Sequence, residues 1–259
     1  MNPAGALVLK LVLTPVLVGA ASLAGRRWGP GVSGWLIGIP FTSGPIAFFL
    51  ALSPGGRFAQ DAAAGIMAGA ASQAVFCLAY AWTAQRAGWM GSLFGATVAF
   101  AASTFILSAV SLPVLSSFVL IIVVIVVVLF LMPSPPALNG ARPEYTRWDI
   151  PARMAVATAF VLALTSAAPL LGARLAGLIA PFPLYASVLA VFAHRALGAG
   201  AATGVVRGLL LGLFAFAAFF LAVATLLPRG IGLAFVVAIV VALAVQATSL
   251  VAGRRFGLA

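Results

Sequence analysis

Long apolar stretches alternate with short polar connections along the chain. A membrane-spanning helix needs about 20 mostly apolar residues. On that measure we place nine helices, at 5–24, 31–52, 61–84, 90–110, 113–132, 152–172, 175–194, 203–226 and 231–252. Prolines and charged residues at 133–151 mark the longest loop. The pattern therefore predicts an all-α polytopic membrane protein with nine spans.

The two halves of the chain match each other when 9–108 is laid over 152–251. This repeat alignment needs no gap. The matched pairs include Gly34 with Gly177, Pro40 with Pro183, Gly69 with Gly212, Arg86 with Arg229, and Lys10 with Arg153. Agreement at glycines, a proline and charges predicts two four-helix repeats.

The stretch between the repeats, 113–132, has no glycine and no polar side chain after Ser117, which is typical of a lipid-facing connector helix. One span between two four-span repeats inserts the second repeat upside down. The predicted units are a first repeat (1–110), a linker helix with a cytoplasmic loop (111–150), and a second, inverted repeat (151–259). Inverted repeats recur in secondary transporters, whose site lies near the midplane where the repeats meet.

The second helix of each repeat carries a central proline, Pro40 or Pro183. Proline lacks an N–H and clashes with the preceding turn, so we expect each helix to break there. In lipid, a freed carbonyl is tolerated only where it is buried in protein or lines a cavity. The residues of the predicted substrate path are Gly34, Gly38, Pro40, Thr42, Ser43, Gln73, Gly177, Pro181, Pro183, Tyr185, Ser187 and Gln246.

Each of these residue types also has a purely structural interpretation. Glycines four apart let helices pack closely, and hydroxyl groups can pair with the carbonyls that proline frees. Gln73 and Gln246 either bond across helices or line a pore. The sequence leaves these alternatives open.

The basic residues indicate orientation. The chain has 14 Lys and Arg against 3 Asp and Glu, and only 7% of its residues are charged, whereas a soluble domain has about a quarter. Because the basic residues lie between the apolar runs, they predict topology and not nucleic-acid binding. Ten fall on the side of the C-terminus and four on the other side. We therefore expect a bacterial-type inner-membrane protein with its N-terminus outside and its C-terminus in the cytoplasm.

Lys10 and Arg153 lie near the start of the first helix of each repeat, so inversion places them at opposite mouths. Each either extends to the membrane interface or attracts an anionic solute or lipid headgroup.

Residues for catalysis are sparse. The chain has one cysteine and one histidine, and no spacing suits a metal site, a nucleophilic triad or a phosphate-binding loop. The sequence predicts a protein that is not an enzyme and has no catalytic residue, metal or cofactor. The expected partners are the lipid bilayer and an unknown small solute, with a homodimer left open.

The segment Leu175-Ala-Gly-Leu-Ile-Ala-Pro-Phe-Pro, followed by His194 and Gly198, resembles the small four-span GlpM-type inner-membrane proteins. The segment from Ser33 to Ser43 is similar to the same element and to a related membrane family of unknown function. The resemblance implies a fused tandem repeat of such units. The first repeat departs from it, with Ala51 opposite His194.

Three functions fit these features. The first is a permease or exporter of a small solute, anionic or amphipathic, with its path between the broken helices. The second is a lipid-handling or envelope-assembly protein with a groove open to lipid. The third is an accessory subunit that transports nothing.

Overall fold

The structure is a computed structural model of the chain. It describes residues 3–38, 56–134 and 181–255, with the shorter pieces 40, 43–44, 47, 51, 148–152, 154–156, 158–159, 162 and 178. Three predicted site residues, Thr42, Gly177 and Arg153, lie outside the described residues, as does the side chain of Lys10.

The described residues are helical throughout, apart from turns, and contain no strand. The helices are α1 (Pro3–Trp28), α2 (Pro30–Ile37), α3 (Gly56–Thr83), α4 (Trp89–Ser108), α5 (Val114–Leu131), α6 (Leu184–Leu197), α7 (Ala199–Leu226) and α8 (Ile231–Arg255). A short 3-10 turn, Leu227–Arg229, follows α7. The predicted all-α class is confirmed.

Five of the described helices are long and apolar enough to cross a membrane. They contain the stretches Ala63–Thr83, Trp89–Ser108, Val114–Leu131, Ala199–Arg229 and Ile231–Ser249. These stretches match five of the nine predicted spans to within about one and a half helical turns. The chain therefore has the character of a helical membrane protein.

Helices α3 and α7 form the centre of the bundle. In each, 72% of the apolar stretch is buried within the protein, against 22% in α4 and α5 and 28% in α8. Phe76 and Tyr80 of α3 pack in the same apolar cluster as Phe220 of α7. Since α4, α5 and α8 leave most of their apolar surface uncovered, they form the periphery.

Contacts between helix ends fix the directions of the core helices. Tyr80, at the carboxyl end of α3, contacts His194, at the carboxyl end of α6. Helix α7 begins directly after Gly198, the residue that follows α6, and the φ of +86° at Gly198 permits the sharp turn between the two helices. Helices α3 and α6 therefore run in the same direction, and α7 runs against both.

Helix α2 runs parallel to α7 and meets it through glycines on both sides. A Cβ atom on Gly34 would collide with the carbonyl of Val205, and one on Gly208 would collide with the carbonyl of Gly31. Further along, a Cβ on Gly212 would lie 2.6 Å from the Cα of Gly38. Only glycine allows this backbone contact, which we name the α2–α7 seam.

We predict that Gly212→Ala destabilises the protein, although alanine is favoured over glycine by about 1 kcal/mol in a helix interior. The added methyl group would overpack the α2–α7 seam, which typically costs about 1–3 kcal/mol. Gly232→Ala is the matched control, because a Cβ on Gly232 meets nothing within 4 Å. Thermal unfolding in detergent measures both variants. Equal melting temperatures for the two would contradict the close approach.

Candidate functional site

The first predicted break lies at Pro40. Helix α2 ends at Ile37, Gly38 forms a turn, and Pro40 is not helical. The chain is helical again at Ser43 and Gly44, where the Gly44 N–H donates to the Pro40 carbonyl at 2.9 Å. The predicted interruption is confirmed, and the proline carbonyl opens the next helical turn.

The second predicted break lies at Pro183. Leu178 is helical, residues 181–183 are not, and α6 starts at Leu184. The Ser187 N–H and the Ser187 hydroxyl both donate to the Pro183 carbonyl, each at 2.7 Å. The Ser187 hydroxyl therefore pairs with a backbone carbonyl, which is one of the two roles that the sequence leaves open for hydroxyl groups.

The two breaks use the same backbone bond. The repeat alignment places Gly44 opposite Ser187 and Pro40 opposite Pro183, so the bond from Gly44 to Pro40 corresponds to the bond from Ser187 to Pro183. Both are the ordinary α-helical bond from residue i+4 to residue i, and each opens the helical turn that follows its proline.

Each broken helix packs against a long helix of the other half of the chain. At the α2–α7 seam, a Cβ on Gly212 would lie 2.7 Å from the Trp35 carbonyl. On α3, a Cβ on Gly69 would collide with the Leu178 carbonyl and lie 3.0 Å from Pro181 Cγ. The predicted repeat alignment matches Trp35 with Leu178 and Gly69 with Gly212, so the two contacts correspond under it.

A small cavity lies where the two breaks meet. Its volume is about 30 Å³. It is lined by Ile37, Gly38, Pro40, Ser43, Gln73, Pro181, Phe182, Pro183, Leu184, Tyr185 and Phe216. Pro40 and Pro183 thus face one shared space, and seven of the predicted path residues line it: Gly38, Pro40, Ser43, Gln73, Pro181, Pro183 and Tyr185.

Gln73 supplies an unpaired amide to this cavity. Gln73 is 7% exposed, and its Oε1 has no hydrogen-bond partner. Nearly all buried polar atoms in proteins are paired with protein or ordered water. A water molecule or a small solute in the cavity would pair this amide oxygen.

The other predicted glutamine has a different role. Gln246 Nε2 donates to the Trp35 carbonyl at 2.7 Å, and Trp35 Nε1 donates to Ser249 Oγ at 3.1 Å. These bonds fasten α8 to α2. Neither Gln246 nor Gly34 is among the residues that line the cavity, and both make packing contacts instead.

An aromatic row connects the cavity with one end of the bundle. Phe182 packs edge-on against Phe76 with 5.9 Å between ring centroids, and Phe76 stacks on Tyr80 at 6.1 Å. The Tyr80 hydroxyl lies 3.5 Å from His194 Nδ1. The predicted repeat alignment places Val223 and Ala51 opposite Tyr80 and His194, so it does not reproduce the polar end of the row.

The end of the bundle where this row finishes also carries charges and tryptophans. Arg195 lies over the Trp89 ring at 5.6 Å, and Trp82 Nε1 donates to the Leu131 carbonyl at 3.0 Å. A salt bridge of 3.1 Å joins Arg26 to Asp149. Tryptophan and arginine together are typical of a membrane–water interface.

Comparisons with protein families, with characterised proteins and with solved structures give no match to this chain. The resemblance to GlpM-type proteins accordingly stays a prediction. Within the described ranges, no three His, Cys, Asp or Glu residues lie close enough together to hold a metal ion.

Sequence reasoning missed four residues that line the cavity: Ile37, Phe182, Leu184 and Phe216. The repeat itself contains a signal for one of them, because its alignment places Phe216 opposite Gln73. The other three immediately flank residues that the sequence did select.

We predict different effects of the same substitution on the stability of the protein at the two buried glutamines. Gln246→Leu removes a donor from the Trp35 carbonyl and should lower the free energy of unfolding by about 1 kcal/mol. Gln73→Leu loses no protein hydrogen bond from Oε1 and should leave stability unchanged or raise it. Thermal unfolding of the two purified variants measures the difference. A larger loss at Gln73 would contradict the assignment.

Proposed function

We propose that the protein is a membrane permease or exporter of a small solute. In this proposal it has nine spans, arranged as two inverted four-helix repeats (1–110 and 151–259) joined by a linker helix and loop (111–150). The substrate path passes the shared cavity between Pro40 and Pro183. The observation that carries the proposal is that two matched helix breaks line one cavity containing an unpaired amide.

The directions of the core helices support the inverted arrangement. Helix α2 is parallel to α7, and α6 is parallel to α3, while α3 and α7 are antiparallel. A two-fold axis in the membrane plane relates such pairs and exchanges Gly212 at Trp35 with Gly69 at Leu178. Many secondary transporters place discontinuous helices and their substrate at this axis.

The polar content of the site favours transport over packing alone. Close packing of the broken helices needs the glycines of α3 and α7, but it does not need a buried glutamine whose Oε1 is unpaired. Leaving such a group unpaired typically costs about 1–3 kcal/mol. Seven other buried polar atoms of the described residues are also without a partner, Gln246 Oε1 among them, so the feature that favours a polar path is the place of Gln73 in the cavity lining.

The proposed orientation places the aromatic and basic end in the cytoplasm of a bacterial-type cell. Arg26, Arg86 and Arg195 lie at the helix termini of this end. An excess of arginine marks cytoplasmic connections. The N-terminus is then outside, the C-terminus is cytoplasmic, and the aromatic row from Phe182 to His194 closes the cytoplasmic side of the cavity.

Alternating access in this proposal follows from the glycine contacts on the two sides of the breaks. Opening toward the cytoplasm separates α2 from α7 and α6 from α3, and opening outward separates the segment that contains Leu178 from Gly69 of α3. Because the repeats differ in side chains at these contacts, the two openings have different costs. The protein therefore favours one direction of opening at rest.

Flux into proteoliposomes tests the proposal with a panel of radiolabelled formate, nitrate, phosphate, hexanoate, glycerol and urea. We expect at least one solute to enter faster than into protein-free vesicles. Pro40→Ala and Pro183→Ala should each lower that flux several-fold, because a restored helical N–H removes the break. Pro15→Ala is the matched control, since Pro15 also lies within a helix but not at the cavity.

Two results would contradict the proposal. One is flux of no solute in the panel above the rate of protein-free vesicles. The other is flux that stays unchanged in both break variants at matched reconstitution, which would remove the breaks from the mechanism.

A further inference from the structure

The cavity is small and partly open. A water molecule needs roughly 10–15 Å³ of such space, and the cavity has about 30 Å³. It therefore holds about two water-sized groups in its enclosed part, which favours a small solute.

The described lining carries no formal charge at neutral pH. Its side chains are apolar or proline, apart from Ser43, Gln73 and Tyr185. A solute with a net charge would thus enter without a counter-charge from these residues, at a high desolvation cost.

The helix ends at the cavity add little net potential. Helix α2 ends at Ile37, so its partial negative charge points to the cavity, and α6 begins at Leu184, so its partial positive charge does the same. These opposite half-charges balance each other. The helix ends therefore offer carbonyl acceptors from α2 and N–H donors from α6, and neither sign of electrostatic potential dominates at the site.

The Gln73 amide adds a donor and an acceptor side by side. Its Oε1 is buried without a partner, and the residue is more than nine-tenths buried. The best complement to a carboxamide is another group that presents N–H and C=O together, because both bonds then form at once. Such a partner would donate to the unpaired Oε1.

We propose that the cavity binds a small uncharged solute of the urea or primary-amide class, paired with the Gln73 amide. This inference rests on the proposed transport function. It replaces the anionic or amphipathic solute expected from the sequence with a small neutral one.

Two pairs of probes with nearly identical shape test the charge requirement. Urea is compared with guanidinium, and formamide with formate, as radiolabelled uptake into proteoliposomes of the full chain. Potassium on both sides with valinomycin holds the membrane potential at zero. We expect urea and formamide to enter faster than into protein-free vesicles, and guanidinium and formate to enter at the protein-free rate.

A variant pair tests the role of Gln73. We expect Gln73→Leu to lower urea uptake about tenfold, the effect of losing a hydrogen bond of typical strength. Ser72→Ala is the matched control, because Ser72 is the adjacent residue of α3, is equally buried and unpaired, and does not line the cavity. It should leave urea uptake unchanged. Melting temperatures of both variants confirm that they are folded.

The outcomes separate this inference from the proposed function. Faster entry of guanidinium or formate than of its neutral partner overturns the inference and leaves a permease standing. Urea uptake that is insensitive to Gln73→Leu overturns it as well, and identifies the cavity as a site for structural water. Entry of none of the four probes also overturns it, whereas the proposed function fails if the wider panel shows no flux or if both proline variants leave the flux unchanged.

Discussion

The close approach of helix backbones at glycine faces is the constraint on which the rest of the structure depends. Between helices in lipid there is little hydrophobic driving force, so association depends on close packing and interhelical hydrogen bonds. Gly208 and Gly212 allow α2 to lie with its carbonyls against α7, and Gly69 does the same for the segment that contains Leu178. A methyl group at any of these places would move a broken helix away from the centre.

The breaks depend on this approach in turn. A helix interrupted in the membrane exposes backbone polar groups, which are stable only if protein surrounds them. Burial between α3 and α7 provides that surrounding, and the Pro40 and Pro183 carbonyls are paired by Gly44 and Ser187. Among the described residues that line the cavity, Gln73 has a buried amide oxygen without a partner, and this oxygen gives the site its polar character.

The helical segments and the positions of the breaks could be predicted from the sequence, because both follow from local chemistry. Apolar length defines a span, and a proline such as Pro40 cannot donate the bond that a continuous helix requires. Local chemistry also makes the bond from the Ser187 hydroxyl to the Pro183 carbonyl one of two roles that the sequence allows for this side chain.

The partners of each helix could not be predicted, because they depend on contacts distant in sequence. Nothing local indicates that α2 packs on α7 of the other half, or that Gln246 reaches the Trp35 carbonyl while Gln73 faces the cavity. Both glutamines look alike in an apolar helix. Only their surroundings distinguish an anchoring side chain from one that offers its amide to a ligand.

The opposite orientation of the two repeats is the central claim, and the topology of α5 tests it most directly. In a variant whose buried Cys77 is replaced by serine, single cysteines are introduced as Ser111→Cys and Ala141→Cys. A membrane-impermeant maleimide is then applied to intact cells and to opened membranes. The account predicts labelling of position 111 from outside and of position 141 only after opening. Labelling of both positions from one side would show that α5 does not span, and would contradict the inverted arrangement.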